Sequence, residues 1–211
     1  MTPAEQSQAA LEICQLAPVV PVLVIDELAH ARPLAEALVK GGLPALEVTL
    51  RTPVALDAIR AMAEVPGGIV GAGTLLTPAD VKAAKKAGAN FGVSPGATER
   101  LVAACEDEGL PLLAGAVTAS EVMALLERGY SMMKFFPAET SGGAAAVKAL
   151  GGPLPQVSFC PTGGISLKNA REYLIQKNVV CVGGSWVAPK EAMAKGDWAE
   201  VTRLAAEASK L

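Results

Sequence analysis

The run Val19-Val20-Pro21-Val22-Leu23-Val24-Ile25 sets the pattern for the whole chain. It is apolar throughout and rich in β-branched residues, which is typical of a buried strand. Alanine-rich helical sequence follows from about Ala29, with Pro33 in its first turn, and Gly41-Gly42 ends it. One strand followed by one helix is therefore the unit from which the fold is predicted.

The same strand-and-helix unit recurs along the chain. Strands are predicted to begin near eight positions, which are Val19, Ala45, Ile69, Asn90, Pro111, Ser131, Val157 and Val179. Apolar strands alternating with helices predict a parallel sheet covered by helices, and eight such units favour a closed (β/α)8 TIM barrel. A doubly wound open sheet is the alternative, although the segment after the first strand, residues 24–28, lacks the glycine-rich turn of that fold.

Each end of the chain adds a helix to this repeat. Residues 3–15 are predicted to form an extra N-terminal helix, and residues 197–211 a closing helix with Asp197 as its N-cap. No low-complexity linker or domain boundary interrupts the units between them. We therefore predict a single α/β barrel domain that spans residues 1–211.

Several helix boundaries carry specific signals. Thr52-Pro53 and Thr77-Pro78 each place an N-cap residue before a proline at the first helical position. The segment Thr118–Glu121 has the spacing of a capping box, and Ser166 precedes a predicted helix over residues 167–174. Helix ends are predicted at three glycines, which are Gly88, Gly109 and Gly129.

The composition excludes several classes of protein. The 211 residues are 51% hydrophobic and carry a formal net charge of −3, so we expect no binding to nucleic acid or to an anionic membrane. The four cysteines form no C-x-x-C pair and there is one histidine, which predicts neither a Cys/His metal site nor a disulfide framework. Free thiols, together with an N-terminus that lacks an apolar signal core, predict a cytoplasmic protein.

The second strand alternates polar and aliphatic residues. Glu47, Thr49 and Arg51 fall on one face because side chains repeat every two residues along a strand. The aliphatic residues are expected to face the helices, so the polar face points into the barrel. A carboxylate and a guanidinium are costly there unless they pair or take part in chemistry, and the strand alone leaves both a structural ion pair and a functional site open.

A single lysine lies within the apolar run Met132-Met133-Lys134-Phe135-Phe136. Alternation places Lys134 inside the barrel with Met132 and Phe136, and points the other two side chains toward the helices. Burying an ammonium group is costly, and a buried lysine can release its proton and become a nucleophilic amine. The alternative is a structural lysine that caps the strand and reaches solvent.

In a barrel of this type, functional groups collect where the strands end. Strand three ends at Thr74, which offers a hydroxyl, and strand four ends at Ser94-Pro95-Gly96, where simple turn chemistry is the alternative. Strands seven and eight end at Thr162-Gly163-Gly164 and Gly183-Gly184-Ser185. Such turns let backbone N–H groups converge on a phosphate next to helix N-termini, so they predict a phosphate site, with two ligand-free turns as the alternative.

Other conspicuous residues are interpreted as structural. His30 is predicted to be a surface or capping residue at the start of the first repeat helix. Cys160 and Cys181, within the seventh and eighth strands, are predicted to pack rather than react. Glu139 is interpreted as a loop charge.

Six motifs, taken in order, give the chain a family resemblance. They are Glu47-Val-Thr-Leu-Arg51, Gly71-Ala-Gly-Thr74, Ser94-Pro-Gly96, Lys134-Phe-Phe-Pro-Ala-Glu139, Pro161-Thr-Gly-Gly-Ile165 and Gly183-Gly-Ser-Trp186. From about Val19 to its C-terminus, the chain resembles bacterial aldolases of 2-keto-3-deoxy-6-phosphogluconate (KDPG) and 4-hydroxy-2-oxoglutarate (KHG).

The resemblance implies a class I aldolase of the Entner–Doudoroff pathway that needs no metal or other cofactor and is usually a homotrimer. It implies cleavage of KDPG to pyruvate and glyceraldehyde 3-phosphate, and often of KHG to pyruvate and glyoxylate. Lys134 matches the Schiff-base lysine and Glu47 the general acid/base. Substrate-binding roles are implied for Arg51, Thr74, Pro95, Phe136, Thr162, Gly163, Gly164, Gly184 and Ser185.

Three alternatives to this function stay open. The closest is an aldolase of the same type that acts on 2-keto-3-deoxy-6-phosphogalactonate, which differs from KDPG only in hydroxyl configuration. A phosphosugar isomerase on a similar barrel would need an acid/base pair but no nucleophilic lysine. A phosphate-ligand sensor would use only the Gly-Gly turns.

Overall fold

Eight parallel strands form one sheet in the computed structural model of the protein, which describes residues 1–211. The strands are β1 (Val19–Leu23), β2 (Ala45–Thr49), β3 (Ile69–Gly73), β4 (Phe91–Val93), β5 (Leu112–Ala116), β6 (Met132–Phe135), β7 (Ser158–Pro161) and β8 (Val182–Gly184). Strands β1 to β7 pair in chain order, and β8 pairs with β1. Parallel bridges from Phe159 to Val179 and from Thr162 to Gly183 connect β7 with the β8 segment. The sheet is thus a nearly closed barrel, as predicted, and not an open doubly wound sheet.

Helices cover the outside of this barrel. They are α1 (Pro3–Cys14), α2 (Ala31–Lys40), α3 (Ala55–Ala63), α4 (Pro78–Lys86), α5 (Glu99–Asp107), α6 (Ala119–Arg128), α7 (Gly143–Leu150), α8 (Ala170–Leu174), α9 (Lys190–Lys195) and α10 (Trp198–Ala208). The predicted N-terminal and closing helices are α1 and α10, and Asp197 caps α10 by accepting a hydrogen bond from the Glu200 N–H. No helix has the length and apolar character needed to cross a membrane.

Two of the predicted caps are confirmed. Thr77 and Thr118 both cap helices, α4 and α6, and each forms a reciprocal capping box with the acidic residue three positions later. In each box the side chains satisfy backbone N–H groups that have no partner within the helix. The predicted helix end at Gly129 is also confirmed, since this residue caps α6 with a left-handed φ of 109°.

Two other predicted caps are wrong. The Thr52 hydroxyl donates to the Ile25 carbonyl oxygen at 2.6 Å instead of capping a helix, and α3 begins only at Ala55. Ser166 does not start a helix either, because its N–H donates to the Asn169 side chain in a turn that delays α8 until Ala170. In both cases a hydrogen bond to another acceptor, 27 residues away for Thr52 and three residues away for Ser166, competes with the capping geometry.

The buried apolar residues divide between the two faces of the sheet. A cluster of 50 buried residues includes Met133 and Phe135 and lies between the strands and the surrounding helices. A smaller cluster includes Met132 and fills the interior of the barrel. The predicted alternation along β6 is therefore confirmed.

Helix α1 closes the amino end of the barrel. Its residues Ala10 and Cys14 belong to the interior cluster. The Ser7 hydroxyl oxygen accepts hydrogen bonds from the N–H groups of Ser131 and Met132, at 2.8 and 3.0 Å, which fastens the helix to the start of β6. The interior is therefore apolar at this end, and polar groups are left for the carboxyl end of the strands.

Candidate active site

Lys134 and Glu47 meet inside the barrel. Lys134 on β6 and Glu47 on β2 are four strands apart in the eight-stranded sheet, so they face each other across the interior. Lys134 Nζ lies 3.2 Å from Glu47 Oε1. The two side chains are only 7% and 3% exposed, so the inward direction predicted for both is confirmed.

Burial governs the electrostatics of this pair. It raises the pKa of Glu47 above its ordinary value, while the nearby Lys134 and, more weakly, Arg51 act in the opposite direction. A carboxylate withdrawn from water carries a large desolvation cost, which protonation of the carboxyl group removes. A buried carboxyl group with a raised pKa is suited to general acid/base chemistry, and an amine attacks a carbonyl in its neutral form.

The neighbouring strand β3 leaves room for the Glu47 carboxylate. A Cβ atom added to Gly73 would lie 2.3 Å from Glu47 Oε1, far inside van der Waals contact. Any larger residue at this position would displace the carboxylate from Lys134. The Gly-x-Gly sequence of β3 thus has a packing role in addition to any turn.

Arg51 differs from its predicted position. The alternation of β2 predicts an inward side chain, but the strand ends at Thr49 and the chain turns, with the Arg51 N–H donating to the Thr49 carbonyl at 2.8 Å. Arg51 is exposed at the carboxyl end of the barrel. It forms no salt bridge, so its guanidinium can receive an anion there.

Three further predicted residues lie at the same end of the barrel. Thr74 is the one non-glycine residue with a positive φ, 62°. A β-branched residue in this region is strained, and such strain gathers at ligand sites. Phe136 places its ring centroid 5.2 Å from Lys134 Nζ. Pro95 follows Ser94, a buried residue whose hydroxyl oxygen accepts a long hydrogen bond of 3.5 Å from the Gly115 N–H.

The loops after β7 and β8 contain the residues of the predicted phosphate site. Gly163 and Gly164 adopt φ angles of 102° and 77°, which disfavour any residue with a side chain. Their N–H groups and that of Ser185 donate to no acceptor within the chain. The Thr162 hydroxyl donates to the Cys160 carbonyl at 3.4 Å, so this side chain is turned down into the barrel.

The predicted contribution of helix N-termini to this site is wrong. Helix α8 begins at Ala170 and α9 at Lys190, each several residues beyond its Gly-Gly turn. The dipole of a helix acts mainly within its first turn. These loops therefore offer an anion free N–H groups but no helix N-terminus.

Two contacts at the site were not predicted. The Thr49 hydroxyl accepts a hydrogen bond from Arg51 Nε, at 3.2 Å; the alternation of β2 had marked Thr49 as inward but gave it no role. The Tyr173 hydroxyl donates to Glu139, which is therefore more than a loop charge, and the Glu139 N–H donates to the Gly163 carbonyl at 3.1 Å. No local pattern links a residue of α8 to the loop after β6, so this second contact needs the tertiary structure.

The residues interpreted as structural lie away from the Lys134–Glu47 pair or beneath it. Cys160 and Cys181 are buried in the interior cluster, as predicted. His30 packs edge-on against Trp198, with ring centroids 5.6 Å apart. No group of three His, Cys, Asp or Glu side chains is arranged to hold a metal ion. The site itself offers an amine beside a carboxyl group, with a guanidinium and free N–H groups around them.

Comparison with known proteins places these features in a family. The family model for KDPG and KHG aldolases matches residues 11–204. The KHG/KDPG aldolase of Escherichia coli (strain K12) is 52% identical over 201 residues, which cover 95% of this chain and 94% of that protein.

Two solved structures resemble the whole barrel. The KDPG aldolase of Zymomonas mobilis ZM4 with 3-phosphoglycerate has a TM-score of 0.90 at 50% identity, covering 94% of this chain and 93% of that one. The KDPG aldolase of Legionella pneumophila, with pyruvate captured as a covalent carbinolamine, has a TM-score of 0.92 at 47% identity. It covers 94% of this chain and 97% of that one.

Proposed function

Because the chain belongs to the KDPG and KHG aldolase family and is an aldolase, we propose that it cleaves KDPG to pyruvate and glyceraldehyde 3-phosphate through a Schiff base on Lys134. The observation that carries this proposal is the buried contact of 3.2 Å between Lys134 Nζ and Glu47 Oε1. A relative with pyruvate held as a carbinolamine supports the same chemistry, since a carbinolamine is the adduct that precedes an imine.

Lys134 is the nucleophile of this reaction. Its neutral amine attacks the C2 ketone of the substrate, and loss of water gives an iminium ion that withdraws electrons from the C3–C4 bond. Glu47 takes the proton of the C4 hydroxyl, directly or through a water molecule, and the C3–C4 bond breaks. The aldehyde leaves, Glu47 returns a proton to C3 of the enamine, and hydrolysis releases pyruvate.

Arg51 and Thr74 hold the carboxylate of the substrate in this proposal. The guanidinium of Arg51 is exposed and lacks a carboxylate partner, and two parallel N–H bonds suit a carboxylate group. Thr74 follows β3, the strand next to β2, and its hydroxyl adds a donor at the same end of the barrel. Pro95 and Phe136 line the pocket and keep water from the iminium ion.

The loops after β7 and β8 bind the phosphate group. The N–H groups of Gly163, Gly164 and Ser185 are free, and Gly184 and Thr162 complete the two turns. The bond of Tyr173 to Glu139 holds the loop after β6 against Gly163 and so steadies one side of this site. Binding energy from the phosphate orients the reacting carbons over Lys134.

KHG is a second substrate of the same site. It lacks a phosphate, but its oxo-acid end presents the same ketone and carboxylate to Lys134 and Arg51. The names of relatives that are about half identical favour KDPG over its galactonate epimer. The Lys134–Glu47 contact favours an aldolase over an isomerase or a phosphate sensor, because neither of those functions needs a buried amine.

The Ser185→Ala variant tests the phosphate site. We expect kcat/KM for KDPG to fall about tenfold or more, because the Ser185 hydroxyl donates to the charged phosphate alongside the backbone N–H groups and this bond is lost, while kcat/KM for KHG changes less than about twofold. Steady-state assays with both substrates and with the galactonate epimer measure this. Ser209→Ala is the matched control, since that hydroxyl donates to the Ala206 carbonyl of α10. Equal losses for KDPG and KHG would contradict the phosphate-binding role of Ser185. Cleavage of the galactonate epimer faster than KDPG by the wild-type protein would contradict the choice of substrate.

We further propose that the protein is a cytoplasmic homotrimer. The family resemblance supports the trimer, and four buried free cysteines suit a reducing compartment. Light scattering on the purified protein measures the oligomeric state. We expect a mass three times that of the 21.5 kDa chain. A monomeric mass at working concentrations would contradict it.

A further inference from the structure

Thr49 is a buried polar residue at the end of β2 that the mechanism above does not use. It is 2% exposed. Its hydroxyl donates to the Leu23 carbonyl of β1 at 2.8 Å and accepts from Arg51 Nε at 3.2 Å. Thr49 thus links the barrel wall to the exposed guanidinium.

The direction of these bonds is fixed by chemistry. A carbonyl oxygen only accepts and a guanidinium only donates, so the one proton of the hydroxyl points to Leu23 and its lone pairs face Arg51. The chain of donors runs from Arg51 Nε through Thr49 Oγ1 to the Leu23 carbonyl. Valine, which has the same shape but no hydroxyl, breaks it at both points.

Backbone hydrogen bonds at this turn also hold Arg51 close to Thr49. The Arg51 N–H donates to the Thr49 carbonyl, and the Leu50 N–H donates to the Gly73 carbonyl of β3, both at 2.8 Å. This turn folds the Arg51 side chain back over Thr49. The bond to Thr49 is the only hydrogen bond that the Arg51 side chain makes within the protein, so Thr49 supplies the one polar contact that orients the guanidinium.

We propose that Thr49 is a positioning residue that orients Arg51 for a 2-oxo carboxylate. With Nε held by Thr49, the two Nη groups remain free and present their N–H bonds to the carboxylate end-on. The substrate is then recognised without Nε. This inference rests on the proposed function, in which Arg51 binds the substrate carboxylate.

The Thr49→Val variant tests the proposal. Release of the guanidinium adds the cost of ordering a long side chain on binding, which corresponds to about a three- to tenfold weaker affinity. We therefore expect the pyruvate concentration that half-saturates borohydride trapping to rise about three- to tenfold, with the trapping rate at saturation within about twofold of the wild type. Thr49→Ser keeps the hydroxyl and should restore the wild-type value.

Thr52→Val is the matched control. The Thr52 hydroxyl also donates to a carbonyl of the β1 segment, that of Ile25 at 2.6 Å, but it does not contact Arg51. Both valine variants remove one such bond, and thermal unfolding should report similar small losses of stability. Only Thr49→Val should alter half-saturation by pyruvate.

A double-mutant cycle with Arg51→Ala separates the possible outcomes. If Thr49 acts through Arg51, adding Thr49→Val to Arg51→Ala changes half-saturation no further. An equal effect of Thr49→Val in both backgrounds, or no effect in the wild-type background, overturns the inference. If Arg51→Ala itself leaves half-saturation unchanged, the carboxylate role of Arg51 in the proposed function fails instead.

Discussion

Replacing Lys134 with methionine is expected to lower kcat for KDPG cleavage by about 10⁴-fold or more, as is usual when a covalent nucleophile is removed. Methionine is similar in length and apolar, and Met132 already lies on the same face of β6. The barrel should therefore keep its packing while it loses the amine. The measurement is a sensitive assay for pyruvate release under saturating substrate.

The stability of this variant provides its control. Glu47 is left buried without its partner, but burial raises the pKa of this carboxyl, so it can remain protonated and neutral. We expect Lys134→Met to unfold cooperatively at a temperature near that of the wild type. Lys148→Met, at an exposed position of α7, should keep full activity. A folded Lys134→Met variant that retains more than about one hundredth of the wild-type kcat would contradict a nucleophilic role.

Replacing Glu47 with glutamine is expected to lower kcat by about 10²- to 10⁴-fold, the range typical of a lost general acid or base. Glutamine keeps the shape that Gly73 accommodates but cannot exchange protons. The imine with Lys134 should still form, since the amine is intact. The loss should thus appear in bond cleavage and not in borohydride trapping with pyruvate.

The pH dependence of kcat/KM tests the role of Glu47 separately. The ionised carboxylate is the form that takes the proton of the C4 hydroxyl, so activity should fall as the pH drops through the pKa of Glu47. Because burial raises that pKa, the acidic limb of kcat/KM should lie above the ordinary carboxyl range. Glu47→Gln should remove this limb, whereas Glu99→Gln, at an exposed position, should keep it. A limb that survives in Glu47→Gln would assign the titration to another group.

The fold was predictable because its signals are local and repeat. Each of the eight units consists of an apolar strand and a helix that covers it, so each shows the same sequence pattern. Strand starts agree to within one residue except for β8, which begins at Val182 rather than near Val179. The caps at Thr52 and Ser166 failed for different reasons. Thr52 bonds to Ile25, which only the fold brings near, whereas Ser166 bonds to Asn169 in a local turn.

The directions of the site side chains were predictable only where the residues lie within regular strands. Lys134 and Glu47 lie inside regular strands, so their inward direction and meeting across the barrel follow from a period of two. Arg51 lies just beyond β2, where alternation no longer applies, and its direction depends on a turn and on the Thr49 hydroxyl. The link from Tyr173 to Glu139 joins residues 34 positions apart and had no local signal.

Reductive trapping shows whether Lys134 forms the covalent intermediate. The protein is incubated with pyruvate and borohydride, digested, and mapped by mass spectrometry. We expect one stable adduct, on the peptide that contains Lys134, and none in Lys134→Met. An adduct on another lysine, or no adduct on Lys134 in protein that cleaves KDPG at its full rate, would contradict it.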